Sequence, residues 1–190
     1  MPEDIFEKFA EDYDLWFEDH SSKYQAELAR VKALVREPGT FSLEVGVGSG
    51  RFAAPLGIRL GIDPSRALCR MARRRGIEVL RARGEAIPFQ NGAISSVLMV
   101  TVICFLEDPS RVLGELWRIL APGGIAVVAF IERGGKIHQK YLQEEGKGRF
   151  LSRATLYTNE EVQALLETAG FQVTATDPRA GFCVIAARKD

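Results

Sequence analysis

The chain has 190 residues, 46% apolar and 26% charged, the proportions of a soluble globular protein with enough length for a substantial core. Its 25 basic and 25 acidic side chains cancel, so no net charge draws it to nucleic acid or to an anionic membrane. The longest near-apolar run, Val97 to Leu106, is well short of the ~20 residues of a membrane span.

Met1-Pro2-Glu3-Asp4 lacks the apolar stretch of a signal peptide. Cys69, Cys104 and Cys183 are far apart, and the histidines are two, His20 and His138. Neither a disulfide framework nor a metal site is expected, and the cytoplasm is the expected location.

In chain order, Phe6, Phe9, Tyr13, Trp16 and Phe17 recur at helical spacing within 4–18, with acids between them. A second helix over about 22–36 opens on Ser22-x-x-Gln25, a capping-box pattern, and stops at Pro38-Gly39. A strand over about 41–46 runs into Gly46-Val47-Gly48-Ser49-Gly50, and a short helix follows, limited by Pro55 and Gly57. The next strand, Arg59 to Asp63, leads to a helix capped by Ser65 and ended at Gly76.

Strands over Ile77–Ala82, Val97–Thr101 and Ile125–Ile131 come next, with a helix from Asp108-Pro109 to Leu120 before the last of them. Residues 132–157 are polar, glycine-bearing and low in periodicity. Thr158-x-x-Glu161 caps a final helix, and strands at 171–176 and 182–188 form a hairpin. Strands alternating with helices imply an α/β fold, a Rossmann-like doubly wound sheet, mostly parallel, with helices on both faces and an antiparallel C-terminal hairpin. No linker divides the chain. The reading is one domain, with a helical cap (1–38), a core (41–131), a substrate-side insertion (132–157) and a C-terminal helix and hairpin (158–190).

The chemistry concentrates where the first strand meets its helix. Glycines at that turn permit backbone angles other residues resist and let a ligand touch the main chain. Asp63, at the end of the following strand, can accept both hydroxyls of a ribose. A dinucleotide site asks for G-x-G-x-x-G, but its third glycine is replaced here by Arg51. Glu44, inside an otherwise apolar strand, suits a cationic ammonium or sulfonium better than a pyrophosphate.

Leu43 to Gly50 and Gly61 to Ser65 resemble the first two motifs of the class I S-adenosylmethionine (SAM)-dependent methyltransferases. Ala86-Ile87-Pro88-Phe89, Leu113 to Gly124 and Thr158 to Phe171 are similar to later segments of that family, nearest its small-molecule, quinone-biosynthesis type. The resemblance implies SAM as cofactor, with Gly46 and Gly48 against its methionine part, Glu44 near the ammonium and Asp63 on the ribose. Pro64 with Ile62 would flank the adenine, whose edge would meet the Gly84 and Glu85 backbone. Many relatives carry Asp where this chain has Arg83, so the carboxylate contact is not expected. Tyr13 and Trp16 would fold over the cofactor as a lid, and Thr101 would bond cofactor or substrate.

Transfer from a sulfonium needs alignment more than a strong base, so no catalytic residue follows from the sequence. His138 is a weak candidate for a general base. Cys104 lacks the preceding Pro of cytosine-carbon methyltransferases and reads as pocket wall. Arg70, Arg73, Arg74, Arg75, Arg81 and Arg83 read as a solvated face. The expected function is SAM-dependent methyl transfer to a small-molecule acceptor. A SAM-binding, non-catalytic partner subunit and a nicotinamide-dependent oxidoreductase are the alternatives.

Overall fold

The computed structural model describes residues 3–35, 41–143 and 149–190. Its strands are β1 (Ser42–Val45), β2 (Leu60–Asp63), β3 (Glu78–Arg81), β4 (Ile94–Val100), β5 (Leu120–Ile131), β6 (Phe171–Asp177) and β7 (Phe182–Lys189). They form one sheet in the order β3-β2-β1-β4-β5-β7-β6. The first five in that order pair in parallel, while β7 lies antiparallel between β5 and β6. The α/β fold with an antiparallel C-terminal hairpin is the architecture expected.

Side chains of the central strands alternate between two cores, as the two-residue period of a strand requires. On one face Ala126, Val128 and Phe130 of β5 meet Cys183, Ile185 and Ala187 of β7. Over them pack Val112, Leu113 and Leu116 of α6 (Pro109–Ile119) and Val162 and Leu166 of α8 (Asn159–Thr168). On the other, Val127, Ala129, Val184 and Ala186 pack with Phe17 of α2 (Ala10–Asp19), Tyr24 and Val31 of α3 (Ser21–Leu34), and Ala53 of α4 (Ala53–Leu56). The same cluster takes in Cys69 and Ala72 of α5 (Arg66–Arg74). Burial on both faces is why β4 and β7 read as near-continuous apolar runs.

Three local signals are realised as written. Ser65 Oγ accepts from Leu68 N at 3.2 Å and Asp108 Oδ1 from Arg111 N at 3.0 Å. Thr158 and Glu161 complete a reciprocal capping box.

The N-terminal helix differs from expectation. It is broken at Phe9 into α1 (Glu3–Lys8) and α2. The break frees α1 to turn onto α5, where Glu7 accepts from Ser65 Oγ (2.7 Å) and Ala67 N (3.0 Å). The expected capping box at Ser22 does not form. His20 N donates to Trp16 O at the end of α2, and Tyr24 N donates to His20 O at the start of α3. The backbone thus satisfies groups a side-chain cap would otherwise serve.

β5 starts earlier than expected. Leu120 pairs with Ile94 and the ladder resumes at Ile125 with Ser96, so Ala121–Gly124 bulge out of register. The 132–157 stretch contains α7 (Lys136–Gln143) and a 3₁₀ turn at Leu151–Arg153. The Pro38-Gly39 stop lies outside the described residues.

One ion pair joins the two ends of the chain. The Arg30 guanidinium of α3 donates from Nε and Nη2 to the two carboxylate oxygens of Asp177, each at 2.9 Å, and from Nη1 to Arg179 O at 2.9 Å. Arg179 and then Arg30 hold the Asp177 carboxyl well below its ordinary range. Replacing Arg30 by Ala leaves those acceptors half-satisfied beneath α3 and is expected to cost about 2–3 kcal/mol. Urea unfolding reads this; an unchanged midpoint would show that the pair does not hold α3 to the hairpin.

Candidate functional site

Strand order reverses between β1 and β4, and ligands of open parallel sheets bind beyond the carboxyl ends of the strands at such a point. There a cavity, its mouth open to solvent, is lined from four strand ends. β1 gives Val45, Gly46 and Gly48; β2 gives Ile62, Asp63, Pro64 and Ser65. The loop after β3 gives Ala82 to Glu85, and the end of β4 gives Val100, Thr101 and Val102. Phe6 of α1 and Tyr13 of α2 close the wall from the N-terminal side.

The turn after β1 has room for nothing larger than glycine at two points. Gly46 has φ +70°, and a Cβ on it would lie 2.2 Å from Val102 Cγ2. Gly48 has φ +53°, and its Cβ would meet the Tyr13 ring at 3.3 Å. These angles are the left-handed ones glycine tolerates. The turn is latched to β2 as well: Gly46 N and Val47 N both donate to Ile62 O, at 2.8 and 3.0 Å. Bare main chain is thereby presented to the cavity.

Asp63 completes the latch. One carboxylate oxygen accepts from Gly48 N and the other from Ser65 N, each at 2.8 Å. The residue is 6% exposed. A carboxylate oxygen can accept more than one donor and Asp63 lines the cavity, so a ligand's hydroxyls can be accepted there.

Glu44 sits beneath the turn, not among the residues that line the cavity. It is 2% exposed and its Oε2 has no hydrogen-bond partner. Burial pushes its carboxyl well above the ordinary 4.5; the donation from Ala53 N works against that, and the charge of Asp63 adds to it. The unpartnered oxygen fits a cation arriving over the turn. Tyr13, above the turn, has its phenol pushed up by burial and then by Asp63 and Glu44, so it stays a hydrogen-bond donor.

A charged clamp ties α2 to the same turn. Asp14 accepts from Arg51 Nε (2.8 Å) and Nη2 (2.7 Å) and from Arg75 Nη2 (2.8 Å). Arg75 Nη1 donates to Ser49 O at 2.8 Å. Burial would raise the Asp14 carboxyl, but the two guanidiniums prevail and hold it at about 2. Arg51, which replaces the third glycine of a dinucleotide motif, is thus an anchor for the segment that carries Tyr13.

The remaining expectations divide. Pro64, Gly84, Glu85, Thr101 and Tyr13 all line the cavity. Trp16 does not; it stacks on His20 with ring centroids 4.6 Å apart. His138 is also elsewhere, its Nδ1 accepting from Gly134 N at 2.9 Å. Cys104 lies behind the wall, its Sγ donating to Thr101 O at 3.3 Å, and burial pushes its thiol up to about 12. Arg83 lies at the rim, 3.6 Å from Glu85 and 3.9 Å from Glu107.

The supposed solvated basic face is partly structural: Arg73 donates to Val79 O, Arg75 to Ser49 O and Arg81 to Pro64 O. Sequence reasoning passed over Phe6, Phe105 and Glu107, which line the cavity. Phe6 belonged to the same aromatic stripe as Tyr13, and that stripe was the available signal. Its ring lies 5.0 to 5.6 Å from those of Phe105, Phe150 and Tyr13.

The state of Glu44 has a measurable consequence. Burial raises its folded carboxyl well above the 4.5 of the unfolded chain. This group's contribution therefore falls as pH rises through that value toward its raised folded value. Glu44→Gln abolishes the titration, so the ligand-free variant is expected to gain thermal stability over the parent from pH 5 to pH 8. The Glu27 carboxyl, pushed up to about 7 by burial, titrates in both proteins and cancels in the difference. A melting-temperature difference that stays flat across that range would contradict a raised Glu44 carboxyl.

Residues 43–128 match a family model described as a methyltransferase domain. Over 168 residues the chain is 34% identical to an uncharacterized protein of Methanocaldococcus jannaschii, covering 88% of this chain and 81% of that one. It is 39% identical to an uncharacterized protein of Mycobacterium tuberculosis over 86% of its own length, but spans only 58% of that relative. Among solved structures it superposes, with a TM-score of 0.90, 34% identity and full coverage of both chains, on a SAM-dependent methyltransferase of Thermotoga maritima described as a possible histamine N-methyltransferase. Among the described residues, no helix is long and apolar enough to cross a membrane. Glycine turn, the acid ending β2, strand order and these likenesses agree: the chain belongs to the class I SAM-dependent methyltransferases.

Proposed function

We propose that this chain moves the methyl group of SAM to a small-molecule acceptor by direct displacement at the sulfonium. The observation that carries the reading is one cavity joining the bare main chain at Gly48, the Asp63 carboxylate and an aromatic wall of Phe6, Tyr13 and Phe105. Gly46 and Gly48 take the methionine part, and Glu44, from beneath the turn, meets its ammonium. Asp63 takes the ribose hydroxyls. Ile62 and Pro64 flank the adenine, and the Gly84 and Glu85 backbone meets its edge.

The sulfonium arrives activated, so the protein's work is to align the nucleophile with the methyl and exclude water. No role is given to His138 or Trp16, which stand away from the cavity. The proposed setting is the cytoplasm, and the balance of 25 basic and 25 acidic side chains favours a free acceptor over nucleic acid.

The aromatic wall, with Glu107 at the rim, suits a ring that carries an amine. The name of the Thermotoga relative makes histamine the first acceptor to try.

Calorimetric titration with SAM and its demethylated product (SAH) is expected to show binding by the unaltered chain. Asp63→Ala is expected to weaken SAM by about 1–3 kcal/mol, since it orphans polar partners. Absence of binding at millimolar SAM would refute the proposal, and unaltered affinity in the variant would remove Asp63 from the site. With a panel of small aromatic amines, SAH release should depend on the amine; release independent of every amine would count against this acceptor class.

A further inference from the structure

Three rings gather round Phe6. Its centroid lies 5.0 Å from that of Phe105 and 5.6 Å from that of Tyr13, both edge to face. On Phe150 it stacks at 5.2 Å with an interplanar angle of 21°. Phe6 lines the cavity, while Phe150, stacked behind it, does not. The Phe6 ring therefore fills a ring-sized slot that opens into the site.

The element that carries this ring is weakly held. α1 has six residues, too few for a helix to stand without docking. It parts from α2 at Phe9, whose ψ of 35° leaves the helical range. Asp14 fastens α2 to Arg51 and Arg75, whereas α1 is tied to α5 through Glu7, which is exposed. Arg149, beside Phe150, clasps the break from the other side. Its guanidinium lies 3.9 Å from the centroid of the Phe9 ring and pairs with Asp12. Both partners of that pair are about half exposed, so it contributes little. Elements that move at ligand sites are drawn from such weakly held parts of a fold.

A ligand ring entering the slot would recover the ring contacts that Phe6 gives up, so the exchange costs only the docking of α1. Glu107, two positions after Phe105, lines the same cavity and offers a carboxylate to an amine carried on that ring.

We propose that Phe6 is a placeholder for the acceptor's aromatic ring: an aromatic amine enters the slot bounded by Phe105, Tyr13 and Phe150, expels Phe6 and swings α1 outward about Phe9. The inference rests on the acceptor reading given above. It makes α1 a plug that the acceptor ejects, not a cover that closes on it.

Phenethylamine is the probe, since it carries the benzyl group of a phenylalanine side chain together with an ammonium. Each protein is first saturated with SAH. In the unaltered chain the amine should speed amide hydrogen exchange in α1 by about fivefold or more and leave α2 within about twofold. Phe6→Ala has no ring to expel and should bind the amine about five- to tenfold more tightly than the parent, read by calorimetry. Glu7→Gln loosens α1 but keeps the ring, and should tighten the amine by a smaller factor; it decides the matter if Phe6→Ala fails to fold. Unchanged or slower exchange in α1 would overturn the proposal, as would equal or weaker amine binding in either variant. So would an absence of amine binding in all three proteins. Failure of the unaltered chain to bind SAH would instead overturn the cofactor reading, and that outcome appears before any amine is added.

Discussion

The bond from Gly48 N to the Asp63 carboxylate, 2.8 Å long and buried, is the constraint on which the site depends. It joins the turn after β1 to the end of β2, two strand ends that line the cavity. Left-handed angles at Gly46 and Gly48 let the main chain come that close, and the double donation from Gly46 and Val47 to Ile62 O holds the approach. Elsewhere in the fold a buried carboxylate is a liability unless it is paired or neutral. Here two N–H groups hold the Asp63 carboxylate at the cavity wall, so the contact that stabilises the turn is made by the same side chain to which the proposed function gives the ribose.

Around that bond, charges are arranged in layers. Glu44 beneath the turn has an unpartnered oxygen, and burial pushes its carboxyl well above the ordinary range. Asp14 outside the turn has two guanidiniums and is kept ionised. Burial raises both acids; at Asp14 the two guanidiniums outweigh it, and at Glu44 the single main-chain donor does not. The outer one fastens α2, and with it Tyr13, over the glycines. In the proposed placement of SAM, the ammonium would lie over Glu44, beside the aromatic wall of Phe6, Tyr13 and Phe105.

Much of this could be read from the sequence, and the rest has a common physical cause. Glycine spacing, Asp63, the Ser65, Asp108 and Thr158 caps and the strand–helix alternation are local signals, set by residues a few positions apart. The Glu7 contact with Ser65, which turns the chain at Phe9, and the clamp of Asp14 on Arg51 and Arg75 join positions 37 to 61 residues apart and leave no local trace. Helical spacing identified an aromatic stripe but not which ring faces the ligand. Because the helix breaks at Phe9, Phe6 reaches the cavity while Trp16, one turn beyond Tyr13, packs against His20 instead. Thr101 reads in sequence as an ordinary strand end, since no propensity marks a β-branched residue forced to positive φ.

The account stands or falls on where the ribose lies. A crystal structure of the chain with SAH bound is the most direct measurement. Both ribose hydroxyls are expected within hydrogen-bond distance of the two Asp63 oxygens, with the Gly48 main chain against the methionine part. A ribose held by other groups, with Asp63 engaged only by Gly48 and Ser65, would contradict it.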